Sequence, residues 1–482
     1  MAVPTGATFG ERAARALADA RLQRALQATV SRFMGLRDRA MADLPDLEQL
    51  RERAKAIKAA TLARLDEHLA ALADRVKAVG GEVHWAADRA EARAIVVELA
   101  RSRGVRRIVK SKSMASEELD LNEALEGAGL EVVETDLGEW IIQLAHEKPS
   151  HIIAPAIHRD RYAVAELFSE VEGRPLPPEP ELLTAVARQR LRQAFLAADM
   201  GISGVNFAVA ETGTLVLVTN EGNGRLVTSL PRVHVAIMGM EKVIPRVHDL
   251  AVFLRLLARS ATGQKMTSYV SLLTGPRRPG EPDGPEELHL IILDGGRSRA
   301  LGGPFEEALS CIRCGACLNV CPVYQKAGGH SYGSTYPGPI GLILTPMLRG
   351  LEVGGELASA STLCGACRDA CPVGIDLPRM ILHLRREVQE HGLAPPGQRL
   401  ALRLLGLVLQ RPWLYRAVAA LGRAVQPLFL RDGRMTALPG LLRRWTRERD
   451  FPRLARRPFQ VEWAWLERSH ERRGDPEPRD RR

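Results

Sequence analysis

Seven cysteines lie between residues 311 and 371, and the rest of the chain has none. Four of them stand in "CIRCGACLNVCPVY" (311–324), spaced C-x2-C-x2-C-x3-C, with Pro322 following. Thiolates at this spacing hold the cubane of bacterial two-cluster ferredoxins. Cys311, Cys314 and Cys317, at steps of three, wrap one cluster, and Gly315 lets backbone N–H groups face sulfur. Cys321 is too far round to join them and reaches a second cluster, and Pro322 ends the turn. Paired CxxC elements also bind zinc, but three successive cysteines plus a fourth before proline favour iron. Clustered cysteines, with none elsewhere, indicate metal or redox chemistry and not disulfides.

The motif recurs. "CGACLNVCPV" (314–323) and "CGACRDACPV" (364–373) are identical at seven of ten positions. Such a duplication predicts two [4Fe–4S] clusters with crossed ligation: Cys311, Cys314, Cys317 and Cys371 on one, Cys321, Cys364 and Cys367 on the other. Ser361 stands where the second half should have its first cysteine. Three readings stay open there: an alkoxide ligand, a cluster without its corner iron, or a cubane with one iron open to water, substrate or a partner's thiolate. The 42 residues between Cys321 and Cys364 require inserted helices.

The elements that must carry these loops are legible from periodicity. Residues 10–79 read as long helices, ended by Gly80-Gly81. From there "GEVHWA" (81–86), "RRIVKS" (106–111), "LEVVETD" and "HIIAPAI" read as strands, alternating with the helices "EARAIVVELARSRG" and "SEELDLNEALEGAG". That alternation predicts a layered α/β fold with a parallel sheet. After a helix near 180–199, "GVNFAVAETGTLVLVTNEGN", "RVHVAIMG", "TSYVSLLTG" and "LHLIILDGG" predict mixed sheet completing the same domain. The expected divisions are an N-terminal helical segment (1–80), an α/β domain (81–297), a two-cluster segment (298–392) and a helical tail (393–482) with a disordered end. Trp413, Trp445, Trp463 and Trp465 are candidate anchors in the tail.

Two loop sets of the α/β domain are candidate anion sites: Lys110, Ser111, Lys112 and Ser113 after a strand and before a capped helix, and Glu211, Thr212, Gly213, Thr214, Asn220 and Glu221 at strand ends. Turn chemistry accounts for the second set equally well. His146, His151 and His158 are spaced too loosely for a metal site and are read as polar or core histidines. No GxGxxG follows a strand, so no nicotinamide or flavin fingerprint is present.

The net charge is +10, with 45% hydrophobic and 26% charged residues. Residues 381–482 hold 22 arginines, no lysine and 11 acids, so the basicity belongs to the tail. A basic tail can meet nucleic acid, anionic lipid or an acidic partner, and a solvated, arginine-biased helical surface accounts for it equally well. No nucleic-acid module accompanies it, so no nucleic-acid partner is expected. No apolar run approaches the roughly 20 residues of a spanning helix and no secretory signal opens the sequence. The expectation is a cytoplasmic protein without a transmembrane segment, with peripheral contact to the inner membrane face left open.

The chain resembles the lactate utilisation protein B family over about residues 10–465. The likeness rests on the cluster motifs and on the stretches 109–144 ("VKSKSMASEELDLNEALEGAGLEVVETDLGEWIIQL"), 146–161 ("HEKPSHIIAPAIHRDR") and 201–245 ("GISGVNFAVAETGTLVLVTNEGNGRLVTSLPRVHVAIMGMEKVIP"). It implies a LUD-type α/β domain of the isomerase/CoA-transferase-like kind, a helical ferredoxin-like dicluster domain and a helical tail. It also implies an iron–sulfur electron carrier in oxidation of L-lactate to pyruvate, alongside cysteine-rich A-type and C-type subunits. The alternatives are a carrier for another 2-hydroxy acid and a self-sufficient lactate dehydrogenase. The latter lacks a visible hydride-accepting site.

Overall fold

The computed structural model describes residues 6–473, apart from 439, 441–442, 444–445 and 448. Trp445 and the polar end from 474 therefore lie outside the described residues. The chain divides into two units, Met1–Leu393 and Ala394–Arg482.

Ten strands build the first unit: β1 (Glu82–Ala86), β2 (Arg107–Lys110), β3 (Glu131–Glu134), β4 (Met200–Gly204), β5 (Phe207–Val209), β6 (Thr214–Thr219), β7 (Val233–Gly239), β8 (Val243–Ile244), β9 (Tyr269–Leu273) and β10 (Glu287–Leu293). Six form a wholly parallel sheet in the order β1-β10-β7-β4-β2-β3. Its central strand "VHVAIMG" is buried along its whole length, as expected where helices cover both faces. Side chains alternate. Val235 and Ile237 pack with Val96, Leu99 and Leu125 on one face; Ala236 and Met238 pack with Leu69, Leu72 and Val76 on the other. The remaining strands make a second, four-stranded mixed sheet, β8-β5-β6-β9, in which β5 pairs parallel with β8 and β6 pairs antiparallel with β5 and β9.

Two expectations need correction. "HIIAPAI" is not a strand. The buried His151 ring turns it back on itself, Nδ1 accepting from the N–H groups of Ile153 (3.1 Å) and Ala154 (3.2 Å), while Ser150 N–H donates to the Pro155 carbonyl at 3.0 Å. "SEELDLNEALEGAG" is two short helices, Met114–Glu118 and Leu121–Gly127, broken where Asp120 takes a left-handed backbone, φ +49°.

The N-terminal stretch forms four helices, Phe9–Ala18, Ala20–Ala42, Leu47–Ala63 and Leu65–Ala78. The cysteine segment carries the inserted helices Pro322–Ala327, Gly338–Arg349 and Leu351–Gly354 between its halves. The second unit holds helices Pro396–Leu409, Pro412–Val425 and Phe459–Arg473. No helix among the described residues is long and apolar enough to cross a membrane.

Candidate metal centre and adjoining cleft

The two cysteine halves share one backbone. Arg313 and Leu363 are left-handed at φ +60° and +56°, Gly315 and Gly365 at +75° and +88°, and each glycine is followed by a four-residue helix, Ala316–Asn319 or Ala366–Asp369. A left-handed conformation for leucine or arginine is strained; here it aims N–H groups at the ligand side chains. Arg313 N–H points at Cys311 Sγ (3.4 Å) and Ile375 N–H at Cys371 Sγ (3.4 Å).

The structure brings the sulfurs into two groups. Cys311, Cys314, Cys317 and Cys371 line one small pocket with Ile152 and Ile340, and Cys314 and Cys317 each lie within the electrostatic reach of Cys311 and Cys371. Cys367 lies within that of Cys321 and Cys364. Burial pushes the thiols of Cys314, Cys317 and Cys321 up, Cys371 to about 11 and Cys367 to about 12. Cys364, exposed, shifts down because the Ala366 N–H faces its sulfur. Thiols crowded and buried in this way become thiolates only against a cationic core. The donor set therefore fits iron–sulfur clusters.

Arginines from the N-terminal helices clasp the second half. Arg37 donates to the Ala370 carbonyl (3.0 Å), and Arg51 to those of Cys371 (3.2 Å) and Asp369 (3.1 Å).

A buried polar network that the sequence did not reveal ties the first half to the sheet. Arg297, after β10, is 1% exposed and holds Glu118 through two hydrogen bonds (2.9 and 2.8 Å) and Glu241 through one (2.6 Å). Glu241, after β7, accepts Arg313 Nη2 at 3.0 Å, and Tyr336 OH donates to Glu118 at 3.0 Å beneath the Arg313 guanidinium. Gly239 makes this possible: a Cβ there would sit 2.1 Å from Glu241 Oε2. The signals were "GGR" and "MEK" at strand ends and the arginine inside "CIRC", each ordinary in isolation.

Beside the network lies a cleft of about 330 Å3. It opens over the C-terminal ends of β2, β4 and β7, near where the strand order reverses, the usual ligand crevice of open α/β sheets. Ser111, Lys112, Ser113, Asn220 and Glu221 line it, together with Asp136, Lys242, Arg297 and Arg313. Burial and the neighbouring Asp136 push the Glu221 carboxyl up to about 7. Burial, then the Arg313 charge, push the Lys242 ammonium down to about 7.

The other candidate loop residues lie elsewhere. Lys110 is 1% exposed and consumed by Glu134 and Asn122, both at 2.5 Å, so it presents no charge to an anion. Glu211, Thr212, Gly213 and Thr214 form the β5–β6 turn away from the cleft: Glu211 accepts Val247 N–H (3.0 Å), Gly213 packs against the Arg75 backbone, and Thr214 bonds to Thr212 and Thr274 (both 2.8 Å). His151 is fully buried, with Nε2 3.2 Å from Asn319 Oδ1. His158 bonds to Glu147 (2.7 Å) and Ser150 (2.8 Å). His146 has a left-handed backbone, φ +52°.

A LUD domain family model matches residues 69–293, and a 4Fe-4S dicluster domain model residues 307–375. The chain is 45% identical over 469 residues to "Lactate utilization protein B" of Bacillus licheniformis, covering 97% of this chain and 98% of that one. It is 45% identical over 459 residues to the protein of the same name from Shouchella clausii, covering 94% and 96%. A crystal structure of a DUF162 family protein from Deinococcus radiodurans aligns at 15% identity and a TM-score of 0.27, covering 48% of this chain and 98% of that one. The chain belongs to the lactate utilization protein B family.

Proposed function

We propose that this chain is the iron–sulfur electron-transfer subunit of a system oxidising L-lactate to pyruvate, working with cysteine-rich A-type and C-type partner subunits. The family membership supports the pathway. The observation that carries the electron-transfer role is the pair of sulfur groups, one enclosed and one reaching the surface at Cys364. In this reading Cys311, Cys314, Cys317 and Cys371 hold an inner [4Fe–4S] cluster, and Cys321, Cys364 and Cys367 an outer one. Such clusters supply reversible one-electron chemistry. The apolar side chains of Ile152 and Ile340 line the inner site, and Cys314 and Cys371 are buried there. The outer site stays accessible to a partner.

The test is composition and turnover. Anaerobically purified protein should contain about eight irons and eight labile sulfides per chain, and should not convert lactate to pyruvate without its partners. Stoichiometric zinc without labile sulfide, or robust lactate oxidation by the chain alone, overturns the reading.

The tail is the proposed seat on the inner face of the membrane. Helices Pro396–Leu409 and Pro412–Val425 bury no residue and expose Leu400, Leu404, Trp413 and Leu421. Residues 393–431 carry six arginines and no acid. Apolar and cationic side chains on one helix pair suit an anionic lipid surface. Sedimentation with phosphatidylglycerol vesicles but not with phosphatidylcholine vesicles supports this seat; sedimentation with neither rejects it.

A further inference from the structure

The cleft and the inner cysteine pocket are neighbours. Ile152 lines both. Arg313 belongs to the C-x2-C loop, yet its side chain lines the cleft and not the cysteine pocket. That side chain is 8% exposed. Its Nη2 is taken by Glu241, while Nη1 is buried with no hydrogen-bond partner among the described residues. A buried, unsatisfied guanidinium nitrogen is unfavourable by about 1–3 kcal/mol or more, a cost that a bound anion relieves.

We propose that this cleft binds one small monocarboxylate, with the guanidinium of Arg313, which lines it, as its charged anchor, immediately beside the inner cysteine pocket. This rests on the proposed function and assigns it a site for the 2-hydroxy or 2-oxo acid. The cleft volume, about 330 Å3, lies at the small end of the range for organic ligands. The local charge sets the class. Arg297 and Arg313 are balanced by Glu118 and Glu241. Lys242 has no carboxylate within ion-pair distance among the described residues, and Lys112, bonded to the Ile152 carbonyl, faces Asp136 and Glu221 across the cleft. The four cations Lys112, Lys242, Arg297 and Arg313 stand against four carboxylates, Glu118, Glu241, Asp136 and Glu221, so the cleft has no surplus to balance a phosphate dianion, and a singly charged carboxylate is the most it accommodates. At the far end, Asp136 and Glu221 can hydrogen-bond a hydroxyl. Leu363, the counterpart of Arg313 in the second half, offers no such group.

The test uses the full, cluster-loaded chain. L-lactate, pyruvate and inorganic phosphate are titrated calorimetrically, and the visible circular dichroism of the clusters is recorded at saturation. One site per chain should take up lactate or pyruvate and not phosphate, with a change in the cluster spectrum; which acid binds tighter distinguishes substrate from product. R313L should weaken binding about tenfold or more, the loss of one charge-assisted hydrogen bond, and R313K should restore part of it. A261F, which narrows the cleft from the helix Val247–Thr262 without touching a cysteine loop, should block binding at unchanged iron content, and decides the matter if R313L fails to load iron. If wild-type protein carries its clusters but binds neither acid at millimolar concentration, the site is rejected and the electron-transfer role stands. If R313L alters the cluster spectrum while leaving carboxylate affinity unchanged, the guanidinium serves the cysteine pocket and the proposal is wrong. If wild-type protein holds no iron or sulfide, the reading beneath it fails first.

Discussion

The two cysteine loops, 311–323 and 361–373, share the same left-handed positions and the same short helix and differ in their surroundings. Both pass through two left-handed residues into a one-turn helix. In the first, a Cβ on Gly315 would stand 3.1 Å from the His151 ring; in the second, Gly365 has nothing within 4 Å. Cys314 is buried and Cys364 exposed. Arg313 is locked into a four-residue charged network, and Leu363 is not. A ligand motif thus dictates local backbone, because metal geometry admits few turns, but it does not dictate depth. Depth comes from what packs on the loop, and here that separates a site facing the cleft from one facing solvent.

The largest effect should come from a cysteine that crosses between halves. Cys371 lies on the second loop but sits with the first group of sulfurs. Cys371→Ala should therefore lower iron from about eight to about four per chain by removing the inner cluster, together with a marked fall in thermal stability because metal binding and folding are linked. If the lost iron instead matches the outer site by its spectroscopic signature, the crossed assignment is wrong.

Next is the network that only the first loop possesses. Glu241→Gln leaves Arg297 and Arg313 under-compensated in the interior, a defect of about 3–5 kcal/mol. The thermal midpoint should fall by several degrees, whereas Leu363→Ala on the second loop should cost about 1 kcal/mol or less, since Leu363 is half-buried and has no such partners. Equal losses from the two variants would erase the distinction between the loops.

The contrast between loops also locates what the sequence could and could not disclose. Ligand spacing is local, so the seven cysteines, the duplication and the inserted helices were legible, as were most strands, whose apolar runs reflect burial in a parallel sheet. The cleft was not. Its walls come from the ends of separate strands and from the first cysteine loop, and no period links Asp136, Lys242 and Arg313. Lys110 looked like an anion ligand because it follows a strand, yet burial turned it towards Glu134. "HIIAPAI" has strand composition, but the His151 ring satisfies two backbone donors and favours a turn.

His151 offers a milder way to test the depth of the first loop. Burial lowers its imidazole to about 3, against an ordinary value near 6.5. The folded state therefore resists protonation that the unfolded chain accepts. The stability associated with neutral His151 is fully present above about pH 6.5 and is lost progressively as pH falls towards 3. Thermal midpoints measured by circular dichroism should decline across that window, and His151→Gln should flatten the decline. A slope unchanged by that substitution would place the acid sensitivity elsewhere.

The smallest expected effect concerns Ser361, and it bears directly on how far the two loops are equivalent. Ser361 Oγ accepts the Leu363 N–H at 3.1 Å, just as Cys311 Sγ faces the Arg313 N–H at 3.4 Å. The hydroxyl therefore occupies the structural role of the missing thiol without its chemistry. A serine hydroxyl is far harder to deprotonate than a thiol, so it is a weak competitor for iron, and Ser361 is only half-buried next to the exposed Cys364. A metal site meant to exchange ligands keeps one position open, while a structural one is closed. Ser361→Ala should remove one hydrogen bond, about 0.5–1.5 kcal/mol, and leave iron content nearly unchanged. Ser361→Cys should add a fourth sulfur in a loop already shaped for it, making the outer site more resistant to oxygen and slowing exchange with the partner subunits. Iron and sulfide analysis of the two variants after timed exposure to air separates the cases. Loss of the outer cluster in the alanine variant would make the serine oxygen a true ligand, and the two loops would then be equivalent in ligation as well as in backbone.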